Sequence, residues 1–301
     1  MMRFFFQHRR IFALLMFGLN SSFIFASDPE RHSARGLILK LDQPHKTIVV
    51  SCDNIPGYMD AMTMPIPVAQ AKDFDGLRPG VIVDFTLVVT NNSSYAENIR
   101  IHNYQGLEPD PMAARRLKLL HPSAAKPLSI GDEVPNFTLT DQNRRPVSSS
   151  SFKGKIIALN FIYTRCALPN FCFRSSNNFG NLQKRFQKRL GRDLVLLTVT
   201  FDPVHDGPEA LAKYAHTWNA DPQAWRFLTG SVEQVRRVCD LFGEDFFPDE
   251  GLMDHSLHTV VIDRNGRLVA NLEGNDFSAE QLGDLVQSRL SGPESRSTDH
   301  R

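Results

Sequence analysis

The chain has 301 residues, more than the roughly 100–200 of one ordinary domain, so two cores are expected. Apolar residues make up 42% and charged residues 22%, which excludes collagen-like, coiled-coil and wholly disordered classes. A formal charge of +1 offers no basic field for nucleic acid and no acidic block for a basic partner, so function has to come from local sites.

At the start of the chain, Arg3, His8, Arg9 and Arg10 precede an apolar run at 11–19, and small residues follow at 21–26. This is the layout of a secretory signal over 1–26, and export to the periplasm or another extracytoplasmic space is expected. Asn20, Ser21 and Ser22 break the run short of the about 20 apolar residues that span a bilayer. Residues 23–26 extend it enough for an uncleaved inner-membrane anchor, the one membrane contact expected. Lipoprotein processing is excluded there, because no cysteine lies near the cleavage position.

Residues 36–42, 47–51, 81–90 and 98–102 then alternate or cluster β-branched and aliphatic side chains, with turn signals at 43–44 and 78–80. They predict a small all-β domain over 33–105, built as an OB-like five-stranded barrel. One loop of it holds Cys52, Met59, Met62 and Met64. Met62 and Met64 are two apart and share a strand face, while Met59 and Cys52 approach from the preceding loop. Thioethers are soft donors that select Cu(I), and packing inside the barrel is the competing explanation for them.

Prolines 109, 111, 122 and 127 mark a linker over 106–127, around a solvated helical stretch at 112–120 that carries Arg115, Arg116 and Lys118. Beyond it, over 128–292, strands and helices alternate. A buried strand at 156–163 is apolar but for Asn160, a helix covers 177–190, a strand 194–201, and Pro208 opens a helix to 218. A helix at 232–242 stops at Gly243, a hairpin pairs 257–263 with 267–272 around Asn265-Gly266, and a helix covers 279–290. The order predicts a thioredoxin-like α/β/α sandwich of the glutaredoxin type, with a disordered tail at 293–301.

Cys166 and Cys172 follow the buried strand directly, where a strand end presents side chains to a cleft above the sheet. Five intervening residues allow a disulfide and equally allow both sulfurs to face one soft metal ion. Arg165 and a nearby helix start favour the thiolate, which either binds metal or attacks disulfides. In a thioredoxin fold the loop at 253–256 faces the same cleft, so His255 is the third candidate ligand. Two sulfurs and one nitrogen suit trigonal Cu(I), with Cu(II) as the other oxidation state. His258, three residues on along a strand, points to the opposite face. Cys239 shares helical spacing with Val235, Val238 and Phe242 and is read as core.

Tyr163-Thr-Arg-Cys166, Thr200-Phe-Asp202-Pro203 and the segments 238–243 and 254–256 resemble the Sco/SenC family over roughly 130–290. The resemblance implies a thioredoxin-like fold, copper held by Cys166, Cys172 and His255, and delivery to the Cu-A centre of cytochrome c oxidase. It implies for Asp202 a place behind the metal ligands or at a partner contact, with a plain turn cap as the alternative. The loop at 52–65 resembles the CusF-like barrel, Met62 and Met64 matching its methionine pair, Met59 lying at its tryptophan and Cys52 near its histidine. Two departures stand out: five residues separate the cysteines where the family has three, and Phe173 stands where proline is common. A metallochaperone needs no chemistry on a small substrate. The alternatives are a thiol-disulfide oxidoreductase using Cys166 and Cys172 on a copper-site partner, and a periplasmic copper-tolerance buffer.

Overall fold

The computed structural model describes residues 28–103, 126–249 and 252–291. The expected signal, linker helix and C-terminal tail therefore lie outside the described residues. Among the described residues, no helix is long and apolar enough to cross a membrane.

The first unit is one antiparallel sheet of β1 (Glu30–Asp42), β2 (Thr47–Cys52), β3 (Met62–Pro67), β4 (Ile82–Val89) and β5 (Ser94–Ile101), in the order β3-β2-β1-β4-β5. Ile38, Ile48, Val50, Ile66, Val83, Phe85 and Leu87 fill its inner face. The expected barrel is not closed: β3 and β5 remain edges of the sheet, with a parallel bridge between Val68, just beyond β3, and Ala96 of β5. Pro65 and Pro67 explain this, since proline lacks the N–H that a further strand would need and is tolerated on an edge.

The second unit is a seven-stranded mixed sheet. It comprises β6 (Thr138–Asp141), β7 (Pro146–Ser148), β8 (Ile156–Ile162), β9 (Leu194–Thr200), β10 (Trp225–Thr229), β13 (His258–Ile262) and β14 (Leu268–Glu273), ordered β14-β13-β8-β9-β10-β6-β7. Strands β8, β9 and β10 run parallel, and every residue of β8 and β9 is buried. Four helices accompany them: α1 (Arg174–Arg185), α2 (Pro208–Thr217), α3 (Val232–Phe242) and α4 (Ala279–Leu290). This is the thioredoxin-like arrangement the element order predicts. Asn160, the polar exception on β8, is satisfied inside the core: its Nδ2 donates to Ser175 Oγ at 2.8 Å and its Oδ1 accepts from Thr198 Oγ1 at 2.7 Å.

Helix α3 starts at a Ser231–Gln234 capping box and ends on Gly243 in the left-handed region at φ 78°. The observed α1 begins earlier than the 177–190 expected, since Phe173 before it is already helical (φ −63°, ψ −49°), and ends earlier because the chain leaves helical geometry at Phe186 (φ −105°, ψ 20°). A hairpin of β11 (Phe246–Asp249) and β12 (Leu252–His255) occupies the stretch read as a plain loop before β13.

The two units share apolar contact. Leu37, Leu39 and Ile82 belong to the core of the second unit, while Ile38 between the two leucines faces the core of the first. Gly80, at φ 90°, lets the backbones approach: a Cβ there would stand 2.9 Å from Ala270 Cβ. Polar contacts rim this seam, with Arg289 Nη2 donating to Leu39 O at 2.7 Å and His102 Nε2 lying 3.4 Å from Asp276 Oδ2.

Candidate metal centre

The parallel sheet delivers the first cysteine. Strand β8 ends at Ile162, and the chain turns so that Cys166 N donates to Tyr163 O at 3.3 Å. Two buried carboxylates fix this turn. Asp206, fully buried, accepts from Thr164 N at 2.9 Å, Thr164 Oγ1 at 2.5 Å and Thr200 Oγ1 at 2.6 Å. Asp202 accepts from Arg165 Nη2 at 2.8 Å and lies 2.8 Å from His205 Nδ1. Burial opposes charge on Asp202, yet Arg165 and His205 hold its carboxyl below the ordinary range. Asp202 thus steadies the residue next to Cys166, and Asp206, which the sequence reading did not single out, holds the residue before that.

The second cysteine sits in one wide helical turn, Pro169–Phe173, that leads into α1. Phe171 leaves helical geometry there (φ −112°, ψ −110°), so the five-residue spacing is accommodated by an irregular turn. Asn275 Nδ2 donates to Asn170 O and ties this turn to the segment before α4. Cys172 is buried and Cys166 half-buried, and both are free thiols.

His255 closes the site from β12, where it pairs with Phe246 across the hairpin. Its side chain is 5% exposed and stands among Tyr163, Phe171 and Phe201, with ring centroids 5.9, 6.0 and 4.5 Å away. The Nδ1 position is occupied: it donates to Ser256 O and lies 3.7 Å from Glu244 Oε1. That leaves Nε2 to meet the sulfurs, the usual consequence of a carbonyl or carboxylate behind a ligating imidazole. One ligand atom each from Cys166, Cys172 and His255 lies within 4.8 Å of the other two, a spacing that one ion could bridge. His258, by contrast, turns to Asn271 Oδ1 at 2.8 Å and stays outside the cluster.

The electrostatics divide the thiols. The Cys172 thiol, ahead of His255 and against the effect of burial, helps hold Cys166 down at about 4. Burial pushes Cys172 well above its ordinary value, and the adjoining Cys166 adds to this. Burial disfavours charge on His255, but Cys166 and Glu244 raise it to about 9. The pair is therefore a thiolate beside an imidazolium, with a protonated thiol behind it. Glu244 is itself buried, its Oε2 accepts from His258 N at 2.9 Å, and burial raises its carboxyl. No local pattern in the sequence marks Glu244, since it follows the Gly243 cap as any surface residue would.

In the first unit, register pairs Cys52 with Met62 and Val50 with Met64, so the three sulfur-bearing side chains share the inner face of β2 and β3. Met59 and Met64 are partly buried against that core, whereas Met62 is 50% exposed. Met59 N donates to Ile55 O at 3.0 Å and closes the loop that carries it. Burial, with the charge of Asp53 behind it, pushes the Cys52 thiol up to about 12. Cys239 is fully buried in the second core, as its helical spacing predicts.

A family model described as SCO1/SenC matches residues 126–290, and one described as copper binding periplasmic protein CusF matches residues 31–101. A SCO2-like protein of Rickettsia prowazekii is 30% identical over 160 residues, 50% of this chain and 74% of that protein. Protein sco1 of Schizosaccharomyces pombe is 26% identical over 160 residues, 50% of this chain and 59% of that one. Among solved structures, ScoI of Bradyrhizobium japonicum with copper bound is 25% identical, with a TM-score of 0.45, covering 54% of this chain and 100% of that one.

Proposed function

The chain belongs to the SCO1/SenC family and carries a CusF-like copper-binding domain ahead of the family domain, and from that premise we propose that it is an extracytoplasmic Cu(I) metallochaperone serving assembly of the Cu-A centre of cytochrome c oxidase. The observation that carries this reading is the approach of two sulfurs and one imidazole nitrogen to within 4.8 Å of one another at the mouth of the sheet. Soft thiolates with one borderline nitrogen suit a closed-shell ion that accepts three ligands. Copper is the cargo here. Cys166, Cys172 and His255 hold it in the family domain, and Cys52, Met59, Met62 and Met64 hold a second ion in the β domain.

Exposed apolar side chains surround the family-domain site: Leu168 between the cysteines, Phe173 beside Cys172 and Val204 in the Asp202–Asp206 turn. Such a rim suits docking of a protein that receives the metal. Helix α1 begins two residues after Cys172 and ends at Arg185, which meets Asp284 beside β2 and β3. A helix about 18 Å long thus runs from beside the family-domain site towards the elements that carry the β-domain site.

Anaerobic titration of the reduced protein tests the proposal, with two equivalents of Cu(I) expected. Cys166→Ala and His255→Ala should each weaken or abolish one of the two; unchanged binding in both variants would end it.

A second reading, thiol-disulfide exchange, is favoured by one observation: an accessible low thiol at Cys166 beside a buried high one at Cys172. Cys166 thiolate would attack a partner disulfide, and Cys172, losing its proton, would displace the partner as a dithiol and leave a Cys166–Cys172 disulfide. Insulin reduction by the metal-free protein separates the readings, since an oxidoreductase turns over without copper.

A further inference from the structure

Strand β3 is an edge of its sheet and contains two prolines, so little backbone pairing holds it beyond β2. Its register places Ser51 opposite Thr63, between the pairs Cys52–Met62 and Val50–Met64. Side chains alternate along a strand, so Ser51 and Thr63 point away from the face that carries the sulfurs. Both hydroxyls donate to a single oxygen of Asp284 on α4, Ser51 Oγ at 2.8 Å and Thr63 Oγ1 at 2.7 Å from Oδ2. Arg185 Nη2 donates to the other oxygen at 2.6 Å.

One turn earlier on α4, Gln281 Nε2 donates to Ser51 O at 3.2 Å and to Asp53 Oδ1 at 2.9 Å. The helix therefore grips both chain neighbours of Cys52 and the residue between Met62 and Met64. Ser51 and Gln281 are 3% and 4% exposed, so the bonds made to Ser51 are shielded from water, where losing a partner is costly, while Thr63 meets Asp284 at the exposed rim of the seam. Burial opposes the charge on Asp284, but Thr63, Arg185 and Ser51 hold its carboxyl below the ordinary range.

We propose that Asp284 and Gln281, which lie in the thioredoxin-like domain, are positioning residues for the Cu(I) site of Cys52, Met59, Met62 and Met64 in the β domain, so that docking of one domain sets the metal affinity of the other. This rests on reading the methionine loop as a copper site, which the soft donors on one face of β2 and β3 fit. An unpinned edge strand would have to be ordered by the metal itself. With β3 pinned from its outer face, that ordering cost is already met before copper arrives. Outer partners of metal ligands commonly contribute 10–100-fold to affinity.

The test uses the full chain carrying Cys166→Ser and His255→Ala, so that only the loop site is counted, with Cu(I) affinity measured by competition against a chromophoric chelator. Asp284→Asn is expected to weaken binding roughly tenfold, as is the pair Ser51→Ala with Thr63→Val, and combining all three should add little. In the metal-free protein, amide exchange across 62–67 should quicken in Asp284→Asn. A separate background, Met62→Leu with Met64→Leu, reports the family-domain site, whose affinity Asp284→Asn should leave unchanged. Copper that binds the loop with affinity unaltered by Asp284→Asn would overturn the proposal alone, and equal losses at both sites would reduce Asp284 to a general structural role and overturn it too. Absence of copper binding in the first background, or binding there that Met62→Leu leaves unchanged, would remove the loop site itself and the proposal with it.

Discussion

Glu244→Gln isolates the carboxylate behind His255 with almost no change of shape. Glu244 Oε1 lies 3.7 Å from His255 Nδ1 and follows Cys166 among the groups that raise the imidazole to about 9. An opposite charge at this range raises a pKa by about 1–3 units, and because Glu244 is only one of several groups raising His255 the smallest of these shifts applies, bringing the imidazole down to roughly 8. Two consequences for copper then oppose each other. Loss of the group that orients the ring and feeds its basicity should weaken Cu(I) binding about 10–100-fold. A less basic imidazole is also easier to deprotonate, and near pH 7 this relief returns roughly tenfold. The expected result is a small loss at pH 7 and a loss of at least about tenfold at pH 9.5, where protons no longer compete for the imidazole and the Cys172 thiol is affected alike in both proteins. Cu(I) competition titrations at the two pH values, with the His255 ring followed by NMR, supply both quantities. Equal losses at the two pH values, or an imidazole still titrating near 9, would refute the reasoning.

Three further outcomes follow from the same geometry. Asp206→Asn keeps its shape but disturbs three buried or part-buried bonds from Thr164 and Thr200, and chemical denaturation should show a loss of about 2–4 kcal/mol. Of the four cysteines, Cys166 alone is both accessible and low, so mass spectrometry should find it alkylated first at pH 6, with Cu(I) protecting it. In wild type, Cu(I) affinity at the family-domain site should rise from pH 6 to 9, because His255 and Cys172 must both surrender protons to ligate, and a flat profile would contradict that assignment.

Much of the fold was legible because its signals are local. The bounds of α3 and α4 coincide with those read from the sequence, since Ser231, Gly243 and Ser278 cap helices by contacts within one turn. Barrel closure was misread because it depends on two edges far apart in sequence, and only Pro65 and Pro67 hinted that one edge was spoiled. The β11–β12 hairpin escaped notice because four-residue strands carry too little periodicity. The three candidate ligands were placed together through the thioredoxin-like element order, and then by family resemblance, as nothing local to residue 255 says that β13 lies beside β8. Glu244 and Asp206 were missed for the complementary reason: a buried acid is identified by its partners, and those come from other elements. The seam between the units did leave a trace, in that Leu37, Ile38 and Leu39 are consecutive apolar residues on one strand, as when both faces are covered.

The central claim is that Cys166, Cys172 and His255 together hold copper, and X-ray absorption at the copper edge tests it most directly. The reduced chain carrying Met62→Leu, Met64→Leu and Cys52→Ala, loaded with one equivalent of Cu(I), should show two sulfur neighbours and one nitrogen, and His255→Ala should remove the nitrogen. A shell of sulfur alone, or a spectrum that His255→Ala leaves unchanged, would contradict it.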